Sequence, residues 1–420
     1  MEESLAINGG HKVIEPEAAR FDWPRITSEI EQAVLKQLHE TISIYENSGI
    51  FSNFEAKFAR YHNRQFALLS NSGTSSILAM FEAIELGASD EILCPVYTFH
   101  ATVSPMMYLG AIPVFCDADS MGNISLDEIK AHKTDKTTAV IVTHMWGNPV
   151  QDIEAIAAYC KTEGIFLLED CSHAHGAEIN GKKVGSFGDI AAWSLQGQKI
   201  ITGGEGGILL TDQKDLYNRA LLHGHYNKRP QKEIDESEPM REFYLTGFGL
   251  KLRAHPIAIA IADQQFDHLD SFLAVKSRYA AKFNDAFAKY SFLKTPKMTE
   301  DYKPSWYAYG LRFVADEAFG VTKDDFVAAL HAEGLVEVDV PGSTGLLNNL
   351  PLFMHPERVL GRLYKEPIDT QMGFDGAQSF YDDFFKLPVW AFEDDSPVVD
   401  AYIRGVVKVA DYLVAHRSLR

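Results

Sequence analysis

No stretch of this 420-residue chain reaches the roughly 18 consecutive apolar residues that a membrane-crossing helix requires. The start, Met1-Glu2-Glu3-Ser4, lacks the basic-then-apolar order of a secretory leader. Cysteine is scarce. Cys94, Cys116, Cys160 and Cys171 are far apart and form no Cys-x-x-Cys pair. They are expected to be reduced, buried thiols in a cytoplasmic protein, not a disulfide framework. Positive charge is also in deficit, with 39 Lys and Arg against 58 Asp and Glu and a net charge of −19. That balance argues against a nucleic-acid partner and against docking on anionic lipid. An anionic substrate would need a local basic pocket. There is no internal repeat and no low-complexity tract.

What is present is an ordinary globular composition, 46% hydrophobic and 23% charged. The length suggests two or three domains. Residues 1–62 read as helical, with apolar residues at helical spacing from Ile30 to Ile44 and from Phe54 to Tyr61. From Phe66 to about Asp212, short apolar strands alternate with helices. Strands are expected at Phe66–Leu69, Glu91–Pro95, Ile112–Cys116, Ala139–Thr143, Ile165–Glu169, Ile190–Ser194 and Gly207–Thr211, with helices at Ser75–Glu85 and Ile153–Lys161. This alternation predicts a doubly wound, mostly parallel α/β sheet. Ligand sites in such sheets lie at the carboxyl ends of the strands. Lys228–Glu242 reads as a polar loop and Pro256–Phe287 as one long helix. A smaller C-terminal α/β domain follows, with strands near Leu311–Val314 and Val336–Val340. The expected division is 1–265 and 266–420.

Four segments carry candidate chemistry. The first, Ser70-Asn71-Ser72-Gly73-Thr74-Ser75-Ser76, lies between a strand and a helix. Small residues let its backbone approach a phosphate, and the helix start favours an anion. The bland reading is a helix cap, where serine and threonine are favoured anyway. The second is Glu169-Asp170-Cys171-Ser172-His173-Ala174-His175-Gly176. Asp170 ends a buried strand, so its charge needs a partner or its pKa rises. A pyridinium N–H is one such partner; a helix cap or a metal are others. His173 and His175, with His144, His223 and His225 elsewhere, raise zinc. No cysteine or carboxylate falls at standard ligand spacing, and no metal is expected.

The third segment runs from Trp193 through Lys199 to Gly203-Gly204-Glu205-Gly206-Gly207. It is not a Walker loop, because no Gly-Lys-Ser/Thr follows, nor a dinucleotide fingerprint, because it precedes a strand. A lysine on such a turn, with a strand-end aspartate, is what a pyridoxal 5'-phosphate site needs. The amine forms a Schiff base with the cofactor aldehyde. The aspartate keeps the pyridine nitrogen protonated, so that the ring acts as an electron sink. The bland reading is an exposed lysine beside a hairpin. In the fourth segment, Pro95-Val96-Tyr97-Thr98-Phe99-His100-Ala101-Thr102, an aromatic just past a strand end would stack on a flat ring. Core packing is the alternative.

The specific signal is the order: phosphate loop, aromatic, aspartate, serine, lysine, glycine turn. In this order, from Asn8-Gly9-Gly10 and Trp23-Pro24 to the Gly-Glu-Gly-Gly turn, the chain resembles the DegT/DnrJ/EryC1/StrS family of sugar aminotransferases. His-Ala-His-Gly-Ala after the aspartate and Gln-x-x-Lys before the turn look most like one branch of it. That branch holds scyllo-inosose aminotransferases and 3-amino-5-hydroxybenzoate synthases.

The resemblance implies the pyridoxal phosphate-dependent transferase fold of type I, aspartate-aminotransferase-like. It implies that Lys199 carries the Schiff base and moves protons, and that Asp170 pairs with the pyridine nitrogen. His173 would sit near the ring hydroxyl, Phe99 would stack on the ring, and Thr74, Ser75 and Ser194 would hold the phosphate. The amino donor would be glutamine or glutamate and the acceptor a keto-sugar or keto-cyclitol. A homodimer with shared active sites is implied, the shared segment being Gly247–Arg253. Many members carry an asparagine where Gly249 is aligned, and Lys251 or Arg253 would take over its contact. Lys251, Arg253 and Arg229 are the candidate substrate residues. The rivals are a dehydratase of the same fold, whose members replace the lysine with histidine, a non-catalytic cofactor-binding regulator, and a zinc hydrolase.

Overall fold

The computed structural model describes residues 4–368, 370 and 373–419. Its centre is a seven-stranded sheet in the spatial order Phe66–Ser70, Gly207–Thr211, Ile190–Ser194, Phe166–Asp170, Thr137–Thr143, Glu91–Pro95, Ile112–Cys116. Gly207–Thr211 runs antiparallel to both neighbours, and the other neighbouring pairs are parallel. This is the mostly parallel α/β sheet expected from the sequence.

Ile190–Ser194 and Gly207–Thr211 are buried at every position. Strands covered on both faces read as continuous apolar runs, which is why they were legible. Alternate residues serve opposite faces. Ala139 and Ile141 join the core that includes helices Gly73–Ala83 and Lys214–Gly224. Val140 and Val142 join the core beneath Ile153–Glu163. A third cluster packs Gly49–Tyr61 and Pro256–Phe266 against Trp193, Ile208 and Leu210.

A second core is built on a three-stranded antiparallel sheet, Leu293–Lys294, Tyr309–Phe313 and Phe384–Leu387. Helices Leu269–Phe287, Lys323–Ala332 and Ser396–His416 cover it. Leu5 and Ala19 from the start of the chain also pack there. Conversely, Leu346, Phe353, Tyr364 and Phe380 pack on the first core. Packing therefore does not follow one cut in the chain.

Four expectations are corrected. Pro256–Phe287 is two helices, broken at Asp267 and His268. The first packs Ile259 and Phe266 on the sheet, whereas the second packs Phe283 and Phe287 in the other core; two partners require two axes. Before Ser28, the described chain has only two short 3-10 turns, Ala6–Asn8 and Pro16–Ala19. The loop at Lys228–Glu242 contains a helix, Lys228–Glu233. Val336–Val340 is not a strand. Only Asp339 bridges, pairing with Lys386.

Candidate active site

The site forms where the carboxyl ends of the strands meet the second core. A cavity of about 450 Å³ is lined by Ser72, Thr74, Phe99, Thr102, Trp146, Asp170, His173, Ser194, Lys199, Tyr307, Asp339 and Lys386, among others.

Ser72 caps helix Gly73–Ala83, its side chain accepting from the Ser75 N–H at 3.1 Å. The Ser75 hydroxyl meets that of Ser72 at 3.0 Å. First-turn N–H groups lack intrahelical acceptors and suit an anion. Glycine is required at this turn by close approach. A Cβ on Gly73 would lie 2.7 Å from the Ser194 Cβ, and one on Gly207 would lie 2.3 Å from the Ser72 carbonyl oxygen. The loop is thus pressed against the strand that ends in Ser194.

Asp170 is 4% exposed. Its Oδ1 accepts from the Ser172 N–H at 3.0 Å and its Oδ2 from the Thr102 hydroxyl at 2.7 Å. Both bonds orient the carboxylate at the cavity floor. Lys199 comes from the turn between Ile190–Ser194 and Gly207–Thr211. Its Nζ lies 4.7 Å from the Tyr307 ring centroid. Burial pushes its amine down to about 8, against the opposing pull of Asp170. About a tenth of the amine is therefore neutral and nucleophilic at pH 7, far more than for an ordinary lysine.

His173 stacks on Tyr307 with centroids 4.0 Å apart and planes at 6°. The Trp146 ring also stacks on His173, with centroids 5.5 Å apart and planes at 27°. Burial, then Lys199, Lys386 and His175, hold His173 well below the usual histidine value. The neutral ring leaves its buried Nδ1 without a partner. Such a group needs a hydrogen-bonding ligand or water. Phe99 is 39% exposed at the end of Tyr97–Phe99, which pairs with Thr344–Leu346.

Four expected residues do not line the cavity: Ser75, whose hydroxyl is engaged by Ser72 in the first helical turn, and Arg229, Arg253 and Lys251. Arg229 is 1% exposed and bonds Glu55, Glu233 and the Tyr217 hydroxyl. It does not line the cavity of its own chain, and its guanidinium is engaged in a buried ion network. Arg253 donates to the Ile44 carbonyl at 3.3 Å and lies over the Tyr45 ring. Lys251 is exposed. Neither lines the cavity of its own chain. Gly249 adopts a φ of +92° with open space around it.

The residues missed in the sequence are Thr102, Trp146, Tyr307, Asp339 and Lys386. Thr102 fell within the fourth segment, but nothing marked it. Trp146 holds a φ of +58°, which no sequence rule assigns to a tryptophan.

His144, Glu169 and Cys171, buried at the ends of neighbouring sheet strands, cluster at metal-like separations. Glu169 is already saturated, accepting from the N–H groups of Gly185, Phe187 and Gly188 and from His144 Nε2 at 3.0 Å. Burial opposes its ionisation, but these donors hold it below the usual carboxylate value. His144 Nδ1 accepts from Val150 N–H at 3.0 Å. Glu169 and His144 are a hydrogen-bonded structural pair, with the buried Cys171 thiol beside them.

A doubly wound sheet with a strand-end aspartate and a turn lysine in one cavity defines a fold-type-I aminotransferase. Residues 24–391 match the model of the DegT/DnrJ/EryC1/StrS aminotransferase family, and the chain belongs to that family. The spore coat polysaccharide biosynthesis protein SpsC of Bacillus subtilis is 28% identical over 363 residues, 85% of this chain and 90% of that protein. The L-glutamine:scyllo-inosose aminotransferase of Streptomyces griseus is 29% identical over 348 residues, 79% and 80% of the two chains. A GDP-4-keto-6-deoxy-D-mannose 3-dehydratase of Yersinia pseudotuberculosis is 28% identical over 334 residues, 75% and 83% of the two chains. Among solved structures, an aminotransferase from Psychrobacter cryohalolentis superposes with a TM-score of 0.81 at 24% identity, covering 94% of this chain and 99% of that one. A 3-amino-5-hydroxybenzoic acid synthase superposes with a TM-score of 0.77 at 22% identity, covering 95% and 100%. The inosose aminotransferase supports the branch expected from the sequence, and the solved structures support the fold.

Proposed function

We propose that this aminotransferase uses pyridoxal 5'-phosphate to move an amino group from glutamine or glutamate to a keto-cyclitol or keto-sugar. The observation that carries the reading is the placement of Lys199 and Asp170 in one cavity with the Ser72-capped helix start. The cavity fits the cofactor: a fixed carboxylate at its floor, a helix start for the phosphate, and the His173 ring on its wall. When bound, the cofactor supplies an electron sink.

This chain's residues do the rest. Lys199 would hold the cofactor covalently and, once the incoming amine displaces it, its freed Nζ would carry a proton on and off the substrate carbon. Asp170, fixed by Thr102 and Ser172, holds a proton at the pyridine nitrogen. Thr74, Ser75 and Ser194 would hold the phosphate, Phe99 would cover the ring and neutral His173 would bond the ring hydroxyl. A homodimer, working in the cytoplasm, brings Lys251 and Arg253 to the partner's site. None of the described helices is long and apolar enough to cross a membrane.

The dehydratase relative motivates a second reading on the same cofactor, loss of water without transfer of nitrogen. Lys199 stands against it, since the lysine suits amine transfer. The test is an acceptor screen with L-glutamine and L-glutamate as donors against scyllo-inosose and 4-keto nucleotide sugars. An aminated product from any acceptor supports the proposal. Water loss without nitrogen transfer supports the dehydratase.

A further inference from the structure

Asp339 and Lys386 form the wall of the cavity that faces the second core. Lys386 Nζ lies 2.8 Å from Asp339 Oδ2, with side-chain exposures of 24% and 51%. The two backbones also exchange both hydrogen bonds, each at 2.9 Å. The pair is therefore held on a rigid rung, Lys386 within strand Phe384–Leu387 and Asp339 on the facing segment. It looks onto the His173–Tyr307 stack. Lys386 contributes to holding His173 neutral, and its Nζ lies 5.8 Å from the Trp146 ring centroid. None of the cofactor contacts proposed above uses this pair, and it lies in the same cavity as Lys199.

We propose that Asp339 and Lys386 together read a vicinal diol of the amino acceptor at this end of the cavity. The inference rests on the transaminase reading above and deepens it. An ammonium only donates and a carboxylate only accepts. Held side by side, they match two adjacent hydroxyls, one accepting from Lys386 and the other donating to Asp339. The separation of the paired charges is close to that of the two oxygens of a gauche diol. A phosphate does not suit the wall, because Asp339 faces it and already neutralises Lys386. Thr344 and Ser343, which line the same side, add hydroxyl groups rather than charge. A site built to bond a hydroxyl discriminates strongly against the analogue lacking it, because its polar groups are then left unpaired.

The test is calorimetric titration of the cofactor-loaded protein with scyllo-inositol, a non-reacting polyol, and with an inositol lacking one hydroxyl. The expected results are saturable binding of scyllo-inositol and weakening by about tenfold or more for the deoxygenated ring. Asp339→Asn and Lys386→Met, which keep side-chain length, should each weaken scyllo-inositol by about tenfold or more and narrow the gap between the two ligands. Equal binding of both polyols overturns the proposal. So does no binding of either, or unchanged affinity in both variants, which leaves the pair a cross-strand contact only. The wild-type comparison stands even where a variant fails to fold. Failure of the transaminase reading shows separately: neither L-glutamine nor L-glutamate would then bleach the cofactor's visible band in the wild type.

Discussion

Thr102 donates its hydroxyl to Asp170 Oδ2 at 2.7 Å, and Thr102 is itself 1% exposed. The bond ties the strand-end carboxylate to the segment that also carries Phe99, so the floor and one flank of the cavity are set together. Thr98 and Thr143 extend the bond into a hydroxyl network, at 3.0 and 3.2 Å. Asp170→Asn keeps the shape and removes the charge. Turnover should fall roughly a thousand-fold, several kcal/mol of transition-state stabilisation. Near-normal turnover with cofactor bound would remove Asp170 from its role. Thr102→Val should cost about 1–3 kcal/mol of stability by stranding buried partners, read by denaturant unfolding.

The Lys199 amine should control capture of free pyridoxal 5'-phosphate by the cofactor-free protein. Its folded value of about 8 lies below an unfolded lysine near 10.4. Between these values the unfolded chain binds more protons, so this group's contribution to stability grows as pH rises through the window. The neutral fraction grows about tenfold per pH unit below the folded value and then saturates. Stopped-flow capture rates should level off above about pH 8. A rate still climbing in the ordinary lysine range would show an unperturbed amine.

Arg229 offers a contrast. Its guanidinium meets Glu55 at 2.7 and 3.0 Å in a buried ion pair. Arg229→Ala strands the Glu55 carboxylate and should cost about 3–5 kcal/mol of stability. Denaturant midpoints measure this. If the variant melts like the wild type but loses affinity for the acceptor, Arg229 is a substrate ligand after all.

Much of the sheet was legible in the sequence. Its strands are runs such as Ala139–Val142 and Ile190–Trp193, buried on both faces, and the glycine turn and serine cap flank them. The motifs that met in one cavity were those lying at strand ends, as Asp170, Ser194 and Thr74 do. The rest depends on tertiary placement. Tyr307 reaches Lys199, and Lys386 reaches the cavity, only because the second core docks against the sheet, and no local pattern records that. The break at His268 was hidden because Phe266, Leu269 and Phe272 keep an apolar rhythm across it. Arg229 looked available because the local composition is polar, while its partner Glu55 sits on a sequence-distant helix.

The exposed Lys251 and the half-buried Arg253, outside their own chain's cavity, lead to a prediction about assembly. A symmetric dimer that shares its sites would give two equivalent sites, each borrowing from its neighbour. Once each homodimeric variant is shown to be inactive, a mixed dimer of Lys199→Ala and Arg253→Ala subunits should recover about one working site in two. One of its sites carries both lesions and the other carries neither. A mixed dimer that assembles without recovery contradicts sharing.

The central claim is that Lys199 is the covalent anchor. Borohydride reduction of the cofactor-loaded protein, followed by peptide mass mapping, measures it directly. The visible band should vanish, and the phosphopyridoxyl mass should fall on the peptide containing Lys199 and be absent from Lys199→Ala. A reduced adduct on any other lysine, or no adduct on the wild type, would contradict the account.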